Sequence, residues 1–107
     1  MEIKNIESIE DFQQIMEENN EFVLLKNSLT CPISTAANHE YESFSENSNI
    51  PLFRLNVQHA RELSNYIEDM YQIKHESPQV IRVVDGKPAW DTSHSNITES
   101  NLENNCL

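Results

Sequence analysis

The chain has 107 residues, the size of one domain, and folding at that length buries somewhat more than ~60% of the unfolded surface, so a core can close without disulfides or metal. Eighteen acidic residues against seven Lys and Arg give a formal net charge of −11, which repels phosphate backbones and anionic membranes and excludes nucleic acid and membrane surfaces as expected partners. No run is apolar enough to span a membrane and no signal-peptide pattern opens the chain, so a cytoplasmic location is expected, where Cys31 and Cys106 stay reduced.

In chain order, "SIEDFQQIMEENN" places Ile9, Phe12, Ile15 and Met16 on one helical face, and Ser8 with Asp11 forms a capping-box pattern. "EFVLLKN" is a short continuous apolar run, the mark of a strand buried on both faces. "PISTAANHEYESFSEN" reads as a helix with Pro32 in its first turn, where a missing N–H costs nothing; Ala36, Ala37, Tyr41 and Phe44 are its expected inward positions. "PLFRLNV" carries Leu52, Leu55 and Val57 as a second strand. "QHARELSNYIEDMYQI" is a helix with Ala60, Leu63, Ile67, Met70 and Tyr71 at helical spacing. "QVIRVVDG" is a β-branched strand ending in Asp85-Gly86, a hairpin signal, and "KPAWD" returns as an edge strand that tolerates Pro88. In the tail, Thr98 is the expected N-cap, with Ile97 and Leu102 as a hydrophobic staple.

The order α-β-α-β-α-β-β-α implies a single α/β domain over residues 1–107, a four-stranded mixed sheet flanked by helices. That is the thioredoxin-like architecture. Within it, Cys31 falls between a strand and a helix that opens at Pro32. Unpaired N–H groups and the positive end of the helix dipole meet there and favour thiolate over thiol. Thr30 and Ser34 are expected donors to the sulfur. Polar neighbours Asn27, Ser28, Thr30 and Ser34 set the site apart from the apolar pocket that keeps a cysteine inert. Pro78 stands at the start of the third strand, where thioredoxin-like folds hold a cis proline facing the cysteine, so a cis Ser77–Pro78 bond is expected.

"TCPIS" at 30–34, "ESPQ" at 76–79 and "DGKPAWDTSHSNIT" at 85–98 resemble the monothiol bacilliredoxins, the YtxJ family, over nearly the whole chain. The resemblance implies a thiol–disulfide oxidoreductase that removes bacillithiol, a small thiol, from mixed disulfides on oxidised proteins. It makes Cys31 the nucleophile, Thr30, Pro32, Ile33 and Ser34 its motif, and Ser77 and Pro78 the substrate-side pair. It implies no bound cofactor, with bacillithiol as thiol co-substrate and bacillithiolated client proteins as partners. With serine at 34 no nearby thiol can expel bacillithiol from Cys31, so a second bacillithiol or another reducing oxidoreductase must do so. Cys106, next to the C-terminus, is either without a role or a resolving thiol carried by a mobile tail. Bacillithiol carries a malate and is anionic, and Lys26, Lys74 and His75 are the cations near the motif and the Pro78 turn.

Rival readings differ in class. A metal enzyme has no support, since His39, His59, His75 and His94 lack ligand spacing and there is no CxxC pair. Cluster binding of the monothiol-glutaredoxin kind uses a flexible Gly-Phe after its cysteine, where this chain has Pro32-Ile33. A thioredoxin-like protein-interaction module with an incidental cysteine is the non-catalytic alternative.

Overall fold

The computed structural model describes residues 1–106, which form five strands, four α-helices and one 3-10 turn. In chain order these are β1 (Ile3–Asn5), α1 (Ile9–Glu18), β2 (Glu21–Asn27), α2 (Pro32–Ser45), β3 (Leu52–Asn56), α3 (Arg61–Tyr71), β4 (Gln79–Val84), β5 (Lys87–Ser93), the 3-10 turn His94–Asn96 and α4 (Glu99–Cys106). The sheet order is β1-β3-β2-β4-β5. β1, β3 and β2 run parallel, and β4 and β5 are antiparallel to their neighbours.

The sheet thus has one strand more than the sequence pattern indicates. β1 is three residues long and carries a single apolar side chain, Ile3, so it has no periodicity to detect. It forms because the free edge of β3 offers it a ladder, with Ile3 opposite Leu52 and Asn5 opposite Arg54.

β2 is the central strand and is buried from Phe22 to Asn27. Its alternating side chains feed two cores. Phe22 and Leu24 join Phe12, Ile15, Leu63, Ile67 and Ile81 under α1 and α3. Val23 and Leu25 join Ala37, Tyr41, Phe44, Leu102 and Cys106 under α2 and α4. Phe12 lies edge-on to Phe22, Tyr66 and Tyr71, with each centroid separation 6.2 Å. Such pairs add about 0.5–1.5 kcal/mol each beyond the area they bury.

The expected caps and turns form. Ser8 Oγ accepts from Asp11 N–H at 3.0 Å, and the Asp11 carboxylate accepts from Ser8 N–H at 3.4 Å. Thr98 Oγ1 accepts from Asn101 N–H at 3.1 Å, with Ile97 and Leu102 buried beside it. Asp85 and Gly86 take φ of 51° and 77°, the two positive values that a type I′ hairpin turn needs, and Gly86 is the only glycine in the chain.

Two expected inward residues point out. The buried stripe of α2 is Ser34, Ala37, Tyr41 and Phe44, and Ala36 lies one position, about 100° of helix, off that stripe. In α3 the stripe is Leu63, Ile67 and Tyr71, and Met70 is likewise rotated to the surface.

The hydroxyl of Tyr41, sealed in the second core, shares its proton between Val23 C=O at 3.0 Å and Phe53 C=O at 2.9 Å, tying α2 to β2 and β3 at once. Tyr41→Phe keeps the ring and strands those contacts. Urea unfolding is expected to show a loss of about 1–3 kcal/mol at unchanged m-value. A loss below the error of the measurement would remove this bond from the account of how α2 is held.

Candidate active site

β2 delivers the chain to the site. Its last ladder partner on β4 is Gln79, opposite Lys26, so the turn at Pro78 lies beside the end of β2. Beyond Asn27 the loop Ser28–Thr30 leads to Cys31, which is the N-cap of α2 with extended φ and ψ of −103° and 122°. Pro32 occupies the first helical turn, and the Cys31 carbonyl takes the first helical bond from Thr35 N–H at 3.2 Å.

The Cys31 sulfur is partly exposed and free. The Ser34 backbone N–H does most to hold its thiol below the ordinary range, burial opposes it, and the Ile33 N–H and the Ser34 hydroxyl add to the lowering. Cys31 makes no side-chain capping bond, so its sulfur stands where the helix presents unpaired donors.

Ser34 stands where a dithiol site would hold its second sulfur. It is 0% exposed, and its Oγ accepts from Ser28 N–H at 3.2 Å. The same hydroxyl holds the loop and adds the smallest of the contributions that favour the Cys31 thiolate. Thr30, the other expected donor, turns elsewhere. Its Oγ1 lies 3.5 Å from Ser28 Oγ and 3.3 Å from Gln58 Nε2.

Gln58 is a site residue that the sequence pattern does not mark. Its Oε1 accepts from Leu29 N–H at 3.0 Å and its Nε2 donates to Ser28 Oγ at 2.9 Å, so it latches the loop before Cys31 from the end of β3. Asn56, two residues earlier, accepts from Asn27 Nδ2 at 2.9 Å. The available signal is positional: polar residues just past the C-terminal end of a parallel strand face the crevice where such sheets bind ligands.

The Ser77–Pro78 bond is cis, as its place ahead of β4 led us to expect. Pro78 C=O accepts from His94 N–H at 2.9 Å. His94 and Ser95 in turn face Pro32 and Ile33 across a groove of about 470 Å³ that reaches Glu40 and Thr98. The motif, the Pro78 turn and the segment after β5 thus share one edge of the sheet. Leu29 and Ile33, on either side of Cys31, are 52% and 47% exposed.

The remaining candidates separate. Cys106 is fully buried among Val23, Leu25, Tyr41 and Phe44, and burial pushes its thiol up to about 11. Lys26 is also 0% exposed, so it cannot meet a carboxylate at the surface as the sequence reading allowed. Its ammonium turns inward to Ser64 C=O at 3.1 Å and His75 Nδ1 at 3.3 Å. His75 is half-buried, whereas Lys74 is exposed. Trp90, on β5, packs partly buried on the second core. Among the described residues no three His, Cys, Asp or Glu side chains gather to hold a metal ion, and no helix is long and apolar enough to cross a membrane.

Solved structures repeat this architecture. A proposed oxidoreductase with a thioredoxin fold matches at TM-score 0.90 and 37% identity, over 95% of this chain and 91% of that one. Reduced thioredoxin pre-protein from Schistosoma mansoni matches at TM-score 0.79 and 15% identity, over 97% and 94% of the two chains. Thioredoxin from Trypanosoma brucei brucei matches at 0.78 and 16%, over 96% and 89%. The last two speak for the fold alone. The family model of the monothiol bacilliredoxin BrxC matches residues 4–102. With a thioredoxin fold, one partly exposed acidic thiol and that match over nearly its full length, the chain belongs to the monothiol bacilliredoxin family.

Proposed function

We propose that this protein is a cytoplasmic thiol–disulfide oxidoreductase that strips bacillithiol from proteins modified under oxidative stress, with Cys31 as its only reacting sulfur. The observation that carries the reading is the setting of Cys31: a partly exposed sulfur at a helix start, with the Ser34 and Ile33 N–H groups and the Ser34 hydroxyl stabilising its ionised form.

The reaction is one exchange. Cys31 thiolate attacks the bacillithiol-side sulfur of the mixed disulfide in line with the S–S bond. The old bond breaks, the client's sulfur leaves as thiolate and takes a proton from water, and a Cys31–bacillithiol disulfide remains. The groups that stabilise the attacking thiolate also make Cys31 a good leaving group in the return step. Serine at 34 cannot attack it, so a second bacillithiol thiolate, or another oxidoreductase, attacks the bacillithiol-side sulfur and frees Cys31. Substrate chain on the client side would lie along the Ser77 backbone ahead of Pro78, and the flanking Leu29 and Ile33 give it apolar contact. Lys74 is the exposed cation of the Pro78 turn and the candidate partner for a bacillithiol carboxylate.

Mass spectrometry of the reduced protein mixed with a bacillithiolated client is expected to show the bacillithiol mass on the Cys31 peptide and none on Cys31→Ser. A client that keeps its modification would end this reading.

The rate of iodoacetamide alkylation separates the two thiols and tests the acidity of the first. Cys31 is expected to react at least about 100-fold faster than Cys106 at neutral pH, with a midpoint below the ordinary ~8.5. A folded pKa held below the unfolded one makes the thiolate more abundant at any pH short of full ionisation. Ser34→Ala removes the hydroxyl donor, so its midpoint should rise. Equal, slow labelling of both cysteines would favour the non-catalytic module instead.

A further inference from the structure

The segment Ile73–Pro78 carries the substrate-side turn, yet it has no regular secondary structure of its own. It is held by side chains from its surroundings. Glu68 Oε2, on α3, accepts from His75 N–H at 2.7 Å. Gln79 Nε2 donates to Lys74 C=O at 3.0 Å. At the surface Glu76 pairs with His94 at 3.3 Å. On the inner side, Lys26 reaches from β2 to His75 Nδ1, while the same ammonium holds Ser64 C=O on α3.

A buried lysine at the end of the central strand is costly and needs a reason. Burial brings it down to about 8, opposed by the Glu68 carboxylate, so it remains mostly an ammonium at neutral pH. An ammonium has donors only, so His75 Nδ1 must be bare and the ring proton must sit on Nε2. Ser64 Oγ, 3.1 Å from the same Nδ1, fits that tautomer as a second donor. The charged groups around the imidazole agree with a neutral ring. Burial does most to disfavour its protonation, Lys26 from β2 and then Arg61 from α3 add to it, and Glu68 and Glu76 oppose. The lysine thus ties three pieces together: the strand that leads to Cys31, helix α3, and the loop that ends at Pro78.

We propose that Lys26 and His75 form a positioning clasp that fixes the Ile73–Pro78 loop, and with it the Ser77 backbone, for binding of the client chain. This rests on the functional reading above for its substrate, but the clasp itself can be tested without one. Lys26→Met removes the donor at similar length, and His75→Leu removes the acceptor from the other end, so a folding defect in either leaves the second to decide.

Three readouts apply. Long-range proton–nitrogen NMR of the unaltered protein at pH 7 is expected to find Nδ1 of His75 unprotonated. Hydrogen exchange at the amide of residue 75, corrected for intrinsic rate, is expected to speed at least about tenfold in both variants, with Leu24 and Ile81 unchanged. In the transfer assay, KM for a bacillithiolated peptide should rise about threefold or more in both, with kcat held within about twofold and the Cys31 alkylation midpoint unmoved. A protonated Nδ1, unchanged exchange in both variants, or faster exchange with an unchanged KM would each overturn the clasp. If the unaltered protein transfers no bacillithiol at all, the functional reading fails, and the tautomer and exchange results alone decide the clasp.

Discussion

The whole site depends on one constraint: the chain must leave a fully buried strand and enter a helix within four residues. At that junction the first-turn N–H groups have no carbonyls to pair with, and the sulfur at the cap lies where those of Ile33 and Ser34 favour its ionised form. The chain meets the constraint by turning polar where the strand ends. Asn27, Ser28 and Ser34 are buried, and each is bonded to the loop or to a neighbouring strand. Ser34 links the two: its Oγ holds Ser28 N–H of the loop, and its own N–H does most to favour the Cys31 thiolate.

The two faces of the sheet divide the work. Below α2 and α4, Tyr41 binds two strand carbonyls and α2 is thereby held at a fixed height over β2. Below α1 and α3, the last residue of the same strand to face that side is Lys26, whose charge meets a helix carbonyl and a loop imidazole. Cys31 therefore follows a strand whose two faces are separately anchored. A net charge of −11 is spread over the exterior, so the cations that matter near the site are few and individually placed.

Much of this was legible from residue order. The apolar run of β2, the capping box of α1, the Asp85-Gly86 turn and the Cys31-Pro32 helix start all follow from local rules, and all are found. What escaped had a physical reason in each case. β1 is too short to show a period and exists only through its partner β3. Ala36 and Met70 differ from core positions by a single step of helix rotation, and the first inward place of α2 belongs to a serine, Ser34. Lys26 reads as a surface charge, because nothing in sequence reveals that Ser64 and His75, distant along the chain, converge on it. Gln58 is invisible for the same reason: its worth comes from three contacts with a loop some thirty residues earlier.

The burial of Cys106 has a practical side. In the native protein a bulky thiol reagent meets one sulfur, and the second becomes countable only when α4 lifts away from Tyr41 and Phe44. The molecule therefore carries a gauge of its own unfolding, in which the titre of accessible sulfur, one or two per chain, reports whether the last helix is still seated.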